Sequence, residues 1–149
     1  MRSLTTGDIC KEIKKDIYGK RIFKGVFPRD KLPFIHTYPA SLIVNTHTSE
    51  YPREHWLAIF FDKSKHCEFF DSFGFPFKFY GFEKYITRFS LSSSSNLSQI
   101  QNLDSNACGY YCIYFILLKS RGFSIEQINS LFSQSNFILN DYLISHILE

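Results

Sequence analysis

The sequence predicts an α+β fold: a mostly antiparallel central sheet packed on a buried central helix, with further helices around it. Three observations carry this. Two β-rich runs, Trp56–Phe61 (WLAIFF) and Cys67–Asp71 (CEFFD), flank a charged turn at Asp62–His66 and read as an antiparallel hairpin in the middle of a sheet. Downstream, Ala107–Arg121 is apolar nearly all round its first turns, the pattern of a helix enclosed by the core. The chain has 149 residues, enough for one domain (1–149) with a real core, and its 17 Phe and 9 Tyr point to a core built from aromatic rings.

The elements follow in order. Thr5 or Thr6 can cap a first helix running to about Tyr18, with Ile9, Ile13 and Ile17 on one face, and Gly19 ends it. A short strand is predicted at Arg21–Val26, then a proline-punctuated loop from Pro28 to Pro39 and a strand at Ser41–Asn45. The polar stretch Thr46–Glu54 reads as a loop that delivers the chain to His55. After the hairpin, Ser72–Pro76 is a turn, and Tyr80–Phe89 is predicted helical. Ser90–Ser98, with four consecutive serines, reads as a surface loop, and Leu97–Gln101 as a further strand. Asp104–Asn106 starts the central helix and Gly122 stops it; two shorter helices, about Ser124–Phe132 and Ser135–His146, follow.

Composition narrows the function. Hydrophobic residues make up 44% and charged ones 21%, which excludes a disordered chain. No window has the length of a transmembrane helix, and residues 1–15 lack a signal peptide's apolar stretch. The expected setting is therefore intracellular, in a host nucleus or cytoplasm or in a particle assembled there, without secretion or membrane contact. Cysteines at 10, 67, 108 and 112 form no CxxC pair, and no histidine stands at finger-like spacing from them; thiols and no metal site are expected. Nine of the 17 basic residues lie within the first 31 positions, opposed there by Asp8, Glu12, Asp16 and Asp30. Such a region can lie on DNA or simply be a solvated helix face, and charge alone favours the second reading.

Cys108 stands where the polar segment Asp104-Ser105-Asn106 turns into the apolar helix. A thiol in a first helical turn meets the positive end of the dipole and unpaired N–H groups, which suits a thiolate nucleophile. Gly109 removes a side chain where a substrate backbone would approach. The commoner fate of cysteine is a small buried hydrophobe, and Cys112, Cys10 and Cys67 fit that. A nucleophilic thiol needs a base, and the base an orienting acceptor. His55 opens the first hairpin strand and Asp71 closes the second, so the two can be cross-strand neighbours. Gln101, seven residues before Cys108, can supply an oxyanion donor beside the backbone N–H of Cys108. Taken singly, each of these three is an ordinary solvated residue.

Together, His55-Trp56, Asp71-Ser72-Phe73-Gly74, Gln101 and Asp104-Ser105-Asn106-Ala107-Cys108-Gly109 resemble the adenovirus-type proteases (adenain) in order and spacing. These lie in the wider group that includes the SUMO-specific isopeptidases. Ser41–Thr46 and Cys112 also resemble positions of that family, and the resemblance covers roughly residues 5–120. It implies an adenain/Ulp-like fold and a cysteine endopeptidase cleaving at glycine-containing sites in viral precursor proteins. Cys108 would be the nucleophile, His55 its base, Asp71 the orienting acid and Gln101 an oxyanion donor, with Trp56 and Gly109 beside the substrate. No cofactor is implied for the chemistry, and the expected partner is a capsid or precursor protein met by a monomer. The family's DNA and peptide activators imply possible stimulation by either.

Three departures qualify the match. The acid is Asp where adenoviral members generally carry Glu. Only 41 residues follow Cys108, so some peripheral helices of the adenoviral enzymes are expected to be missing. No cysteine lies between Cys67 and Cys108 to receive an activating peptide through a disulfide, so any peptide activation is expected to be non-covalent. A distant relative is implied, from another large DNA virus or a virus-like (Maverick/Polinton-type) DNA transposon. Two other readings stay open: a peptidase of ubiquitin-like modifiers using the same residues, and an inactive DNA-associated structural protein.

Overall fold

The computed structural model describes residues 1–49 and 55–147; positions 50–54, the end of the predicted loop Thr46–Glu54, lie outside the described residues. The chain runs α1 (Thr6–Lys14), α2 (Gly19–Ile22), β1 (Phe23–Phe27), β2 (Ala40–Asn45), β3 (Trp56–Phe61), β4 (His66–Phe70), α3 (Phe77–Tyr80) and α4 (Glu83–Phe89). It continues with β5 (Ser92–Ser95), α5 (Cys108–Ser120), α6 (Ile125–Asn129) and α7 (Phe137–Ile147).

Among the described residues, five strands form one sheet in sequence order. Its centre is antiparallel, as predicted: β2 pairs with β3, and β3 with β4. Both edges are parallel, β1 with β2 and β4 with β5, so the sheet is mixed. Connection length explains this. A parallel neighbour needs a crossover of about a dozen residues or more. Residues 28–39 provide one, and 71–91, carrying α3 and α4, provide the other.

Both faces of the sheet are covered, which is why β2 and β3 are buried along their whole length. Ile43, Trp56, Ala58, Phe60 and Phe70 face α5, α1 and the C-terminal helices. The alternate residues Leu42, Val44, Leu57, Ile59, Phe61 and Phe69 pack on Phe82, Ile86 and Phe89 of the α4 segment. The central helix is enclosed as expected, with Tyr111, Cys112, Ile113, Phe115 and Ile116 buried.

Four elements differ from the sequence prediction. The first helix stops at Lys14: the Asp16 carboxylate accepts from the N–H groups of Tyr18 and Gly19, which starts α2 anew, and pairs with Arg121 at the end of α5. The predicted helix Tyr80–Phe89 is broken at Gly81, whose φ of 81° is left-handed, so α3 ends before α4 begins. The serine run, predicted as a loop, forms edge strand β5, while Leu97–Gln101 is not a strand. The serine side chains there are largely exposed, and what holds them is backbone pairing to β4 together with His66, which meets the hydroxyls of Ser92 and Ser94.

Candidate active site

The end of the hairpin brings the predicted dyad together. Ala58 pairs with Phe70, so His55, just ahead of β3, reaches Asp71, just past β4, diagonally rather than straight across. His55 Nε2 lies 2.6 Å from Asp71 Oδ1. The carboxylate is fully buried, and four donors converge on it. Besides His55, the N–H groups of Phe73 and Phe75 donate at 3.0 and 3.1 Å, and the Tyr80 hydroxyl at 2.6 Å. A tight turn makes this possible: Gly74, at φ 84°, donates its N–H to Asp71 O, and a Cβ there would lie 2.8 Å from Gln99 N. Asn96 fixes the Asp71 backbone from the other side, accepting from its N–H and donating to its carbonyl, both at 2.8 Å.

His55 is held in plane by Phe73, whose ring stacks on it at 4.4 Å and 14°. With Nε2 committed to Asp71, Nδ1 is the nitrogen left for Cys108. Burial alone would lower the imidazole's pKa; the hydrogen bonds to Asp71 and Cys108, and the charges they carry, overcome that and raise it from 6.5 to about 9.

Cys108 is the first residue of α5, 8% exposed, and no side chain caps the helix. Its Sγ accepts from Trp56 N–H at 3.5 Å, which ties the thiol to the strand that follows His55. Cys112, one turn on, is sealed in the core, where burial pushes its thiol up. The combination of a thiol at a helix start, an imidazole and a buried carboxylate is the set that nucleophilic thiol chemistry requires.

The other predicted site residues take more internal positions. Gln101 is fully buried at the base of the loop leading to Cys108. Its amide donates to the carbonyl and hydroxyl of Ser105 at 3.0 and 3.1 Å, and its oxygen accepts from the Ser72 hydroxyl. Trp56 is 3% exposed, donates its indole N–H to Leu4 O, and borders a cavity of about 480 Å³ lined also by Val26, Phe27, Asn45 and Ser49. The space cleared at Gly109 is internal: the residue is buried, and a Cβ there would stand 3.2 Å from Leu4 and Trp56.

Tyr80 and Asn96 are the residues that sequence reasoning missed. Nothing in the periodicity marks them; the only signal is a tyrosine nine residues past Asp71, beyond a Gly turn. Tyr80→Phe removes one of the four donors to a buried carboxylate. It should lower unfolding stability by about 1–2 kcal/mol, read by urea denaturation, with the far-UV spectrum unchanged.

Residues 23–141 match the sequence model of the adenovirus endoprotease family. No curated protein sequence matches the chain. Among solved structures, the chain is similar to an ASFV protease at 17% identity and a TM-score of 0.46, over 76% of this chain and 45% of that one. It thus spans less than half the length of that protease. It is also similar to the central domain of an uncharacterised Legionella pneumophila protein, at 12% identity and a TM-score of 0.50 over the whole of both. A SUMO protease whose catalytic cysteine is oxidised to a sulfinic acid gives 14% and 0.50, over 99% of this chain and 80% of that one. The last two are similarities of fold.

Proposed function

This chain belongs to the adenovirus endoprotease family, and on that premise we propose that it is a cysteine endopeptidase with Cys108 as nucleophile, His55 as base and Asp71 as the orienting carboxylate. The observation that carries the reading is the 2.6 Å contact between His55 and a carboxylate that is otherwise fully buried. A buried carboxylate with four donors cannot swing away, so it fixes which imidazole nitrogen faces the thiol.

The steps follow from that arrangement. His55 takes the proton of Cys108, and the sulfur attacks the scissile carbonyl. The developing oxyanion is met by the N–H of Cys108 at the uncapped start of α5. Gln101 can join it only if one amide hydrogen leaves Ser105, so its contribution requires a small rearrangement of the 101–108 loop. Protonated His55 then gives its proton to the leaving amine, and water, deprotonated by His55, releases the acyl group. Every proton transfer has a side chain to carry it, and the chemistry calls for no cofactor.

The proposed substrates are glycine-containing sites in capsid or other precursor proteins, cut by a monomer during particle maturation inside a host cell. DNA is a proposed auxiliary partner through Lys11, Lys14, Lys20 and Arg21, which are exposed on α1 and α2. Arg2, Lys15 and Arg29 are already engaged by protein groups. The fold shared with a SUMO protease favours one second reading, cleavage after the C-terminal glycine of a ubiquitin-like modifier. Short Gly-Gly and Gly-X-Gly peptide reporters, assayed beside ubiquitin and SUMO fusions, decide between them. Cleavage of the peptides is expected; cleavage of the folded fusions alone would sink the precursor-processing reading.

A further inference from the structure

Arg29 lies in the loop after β1, far in sequence from both members of the dyad, yet its guanidinium joins the segments that hold them. Its Nη1 donates to Thr46 O at 3.2 Å and its Nη2 to Tyr80 O at 2.7 Å. Its backbone N–H donates to His47 O at 3.2 Å, which anchors the residue beside Thr46. The guanidinium carbon lies 5.5 Å from the Phe82 ring centroid, so the plane is held by an aromatic face as well.

Each carbonyl belongs to a direct neighbour of the dyad. Thr46 donates its N–H to His55 O at 3.1 Å and accepts from His55 N–H on its hydroxyl at 3.4 Å. Tyr80 donates its hydroxyl to Asp71 at 2.6 Å. Gly81 leaves room for the bridge: a Cβ at this residue would stand 2.9 Å from Arg29 Nη2. We infer that Arg29 is a positioning residue for the reaction, one guanidinium setting the spacing between the backbone that carries His55 and the tyrosine that holds Asp71. This inference rests on the protease reading for its consequence, but not for its geometry.

The residue type fits the task. A planar guanidinium presents donors in a rigid fork and reaches two carbonyls at fixed separation, whereas a lysine ammonium on a flexible stem reaches one. Arg29→Lys therefore keeps the charge and much of the stem while losing the bridge. In a reaction sensitive to displacements of an ångström or less, its kcat should fall about tenfold with KM within about twofold of the parent.

The test measures kcat and KM for Arg29→Lys, Arg29→Met, Tyr80→Phe and the Arg29→Lys/Tyr80→Phe double variant. Alongside them runs iodoacetamide labelling of Cys108, with Cys10 as the internal control. Both Arg29 variants should lose kcat with KM held, and label Cys108 several-fold more slowly than the parent at equal Cys10 labelling. The double variant should lose clearly less than the product of its single losses, because both changes free the same tyrosine. Parental kcat and labelling in both Arg29 variants would overturn the inference, as would losses that multiply in the double variant. If the parent cuts none of the peptides, the protease reading fails while the labelling ratio still decides whether Arg29 positions the dyad.

Discussion

Cys108→Ala is expected to remove peptide cleavage, a loss on the order of 10⁴-fold or more in kcat/KM, while Cys112→Ala keeps most of it. The two thiols are one helical turn apart, which makes the contrast informative. Cys108 opens α5, is 8% exposed, and accepts from the Trp56 N–H on the strand that follows His55. Cys112 lies wholly within the core between α5 and the sheet, where burial keeps it a neutral thiol. Truncating it removes one sulfur from a packed interior, a cost of about 1 kcal/mol in stability and little in rate. Steady-state kinetics on any cleaved reporter, with thermal melts to confirm folding, gives the answer. Residual activity in Cys108→Ala, or its absence in a folded Cys112→Ala, would mean that the nucleophile has been misassigned.

The parts of this molecule that were legible in the sequence are those whose cause is local. WLAIFF becomes β3, and CEFF with the preceding His66 becomes β4, because branched and aromatic residues fill both faces of a buried sheet, and the charged turn between them sets their pairing. The helix after Asp104–Asn106 is read from its uninterrupted apolar run, and Cys108 from its place at the head of it. His55 and Asp71 become a pair once the hairpin is drawn. What stayed hidden depends on contacts that periodicity does not encode. Strand β5 is four serines, held by backbone hydrogen bonds to β4 and not by any burial of its side chains. Tyr80, Asn96 and Arg29 act through hydrogen bonds to residues 9, 25 and up to 51 positions away, two of them on main-chain carbonyls that every residue possesses. Gln101 shows the opposite case. Its spacing from Cys108 marked it as a site residue, while its amide is engaged in holding the loop that leads to the nucleophile.

Asp71→Asn should be the most damaging change that leaves both the nucleophile and its base in place, because it acts on three properties at once. The carboxylate accepts from four donors, two on each oxygen. An asparagine offers one accepting oxygen, so an NH₂ group must face the N–H of Phe73 or of Phe75, at about 1–3 kcal/mol for a buried donor left unpaired. The second effect is on protonation. Burial pulls the His55 pKa down, and it stands near 9 only because Asp71 and Cys108 pull it up more strongly. Without the carboxylate charge it must fall. Protonated His55 serves the leaving amine, so the parent should lose activity as the pH rises through about 9, and the variant at a distinctly lower pH. The third effect is linkage: a group whose folded pKa lies above its unfolded 6.5 adds stability that is complete below 6.5 and lost as the pH climbs through about 9. That slope between pH 6.5 and 9 should flatten in the variant. A fall in kcat on the order of 10²–10⁴-fold is expected, from loss of the correct imidazole tautomer and of the charge that stabilises its protonated form. Imidazole titration by NMR, the pH–rate profile and urea midpoints across the same range read all three. A variant whose His55 titrates as in the parent would show that Asp71 does not set the base.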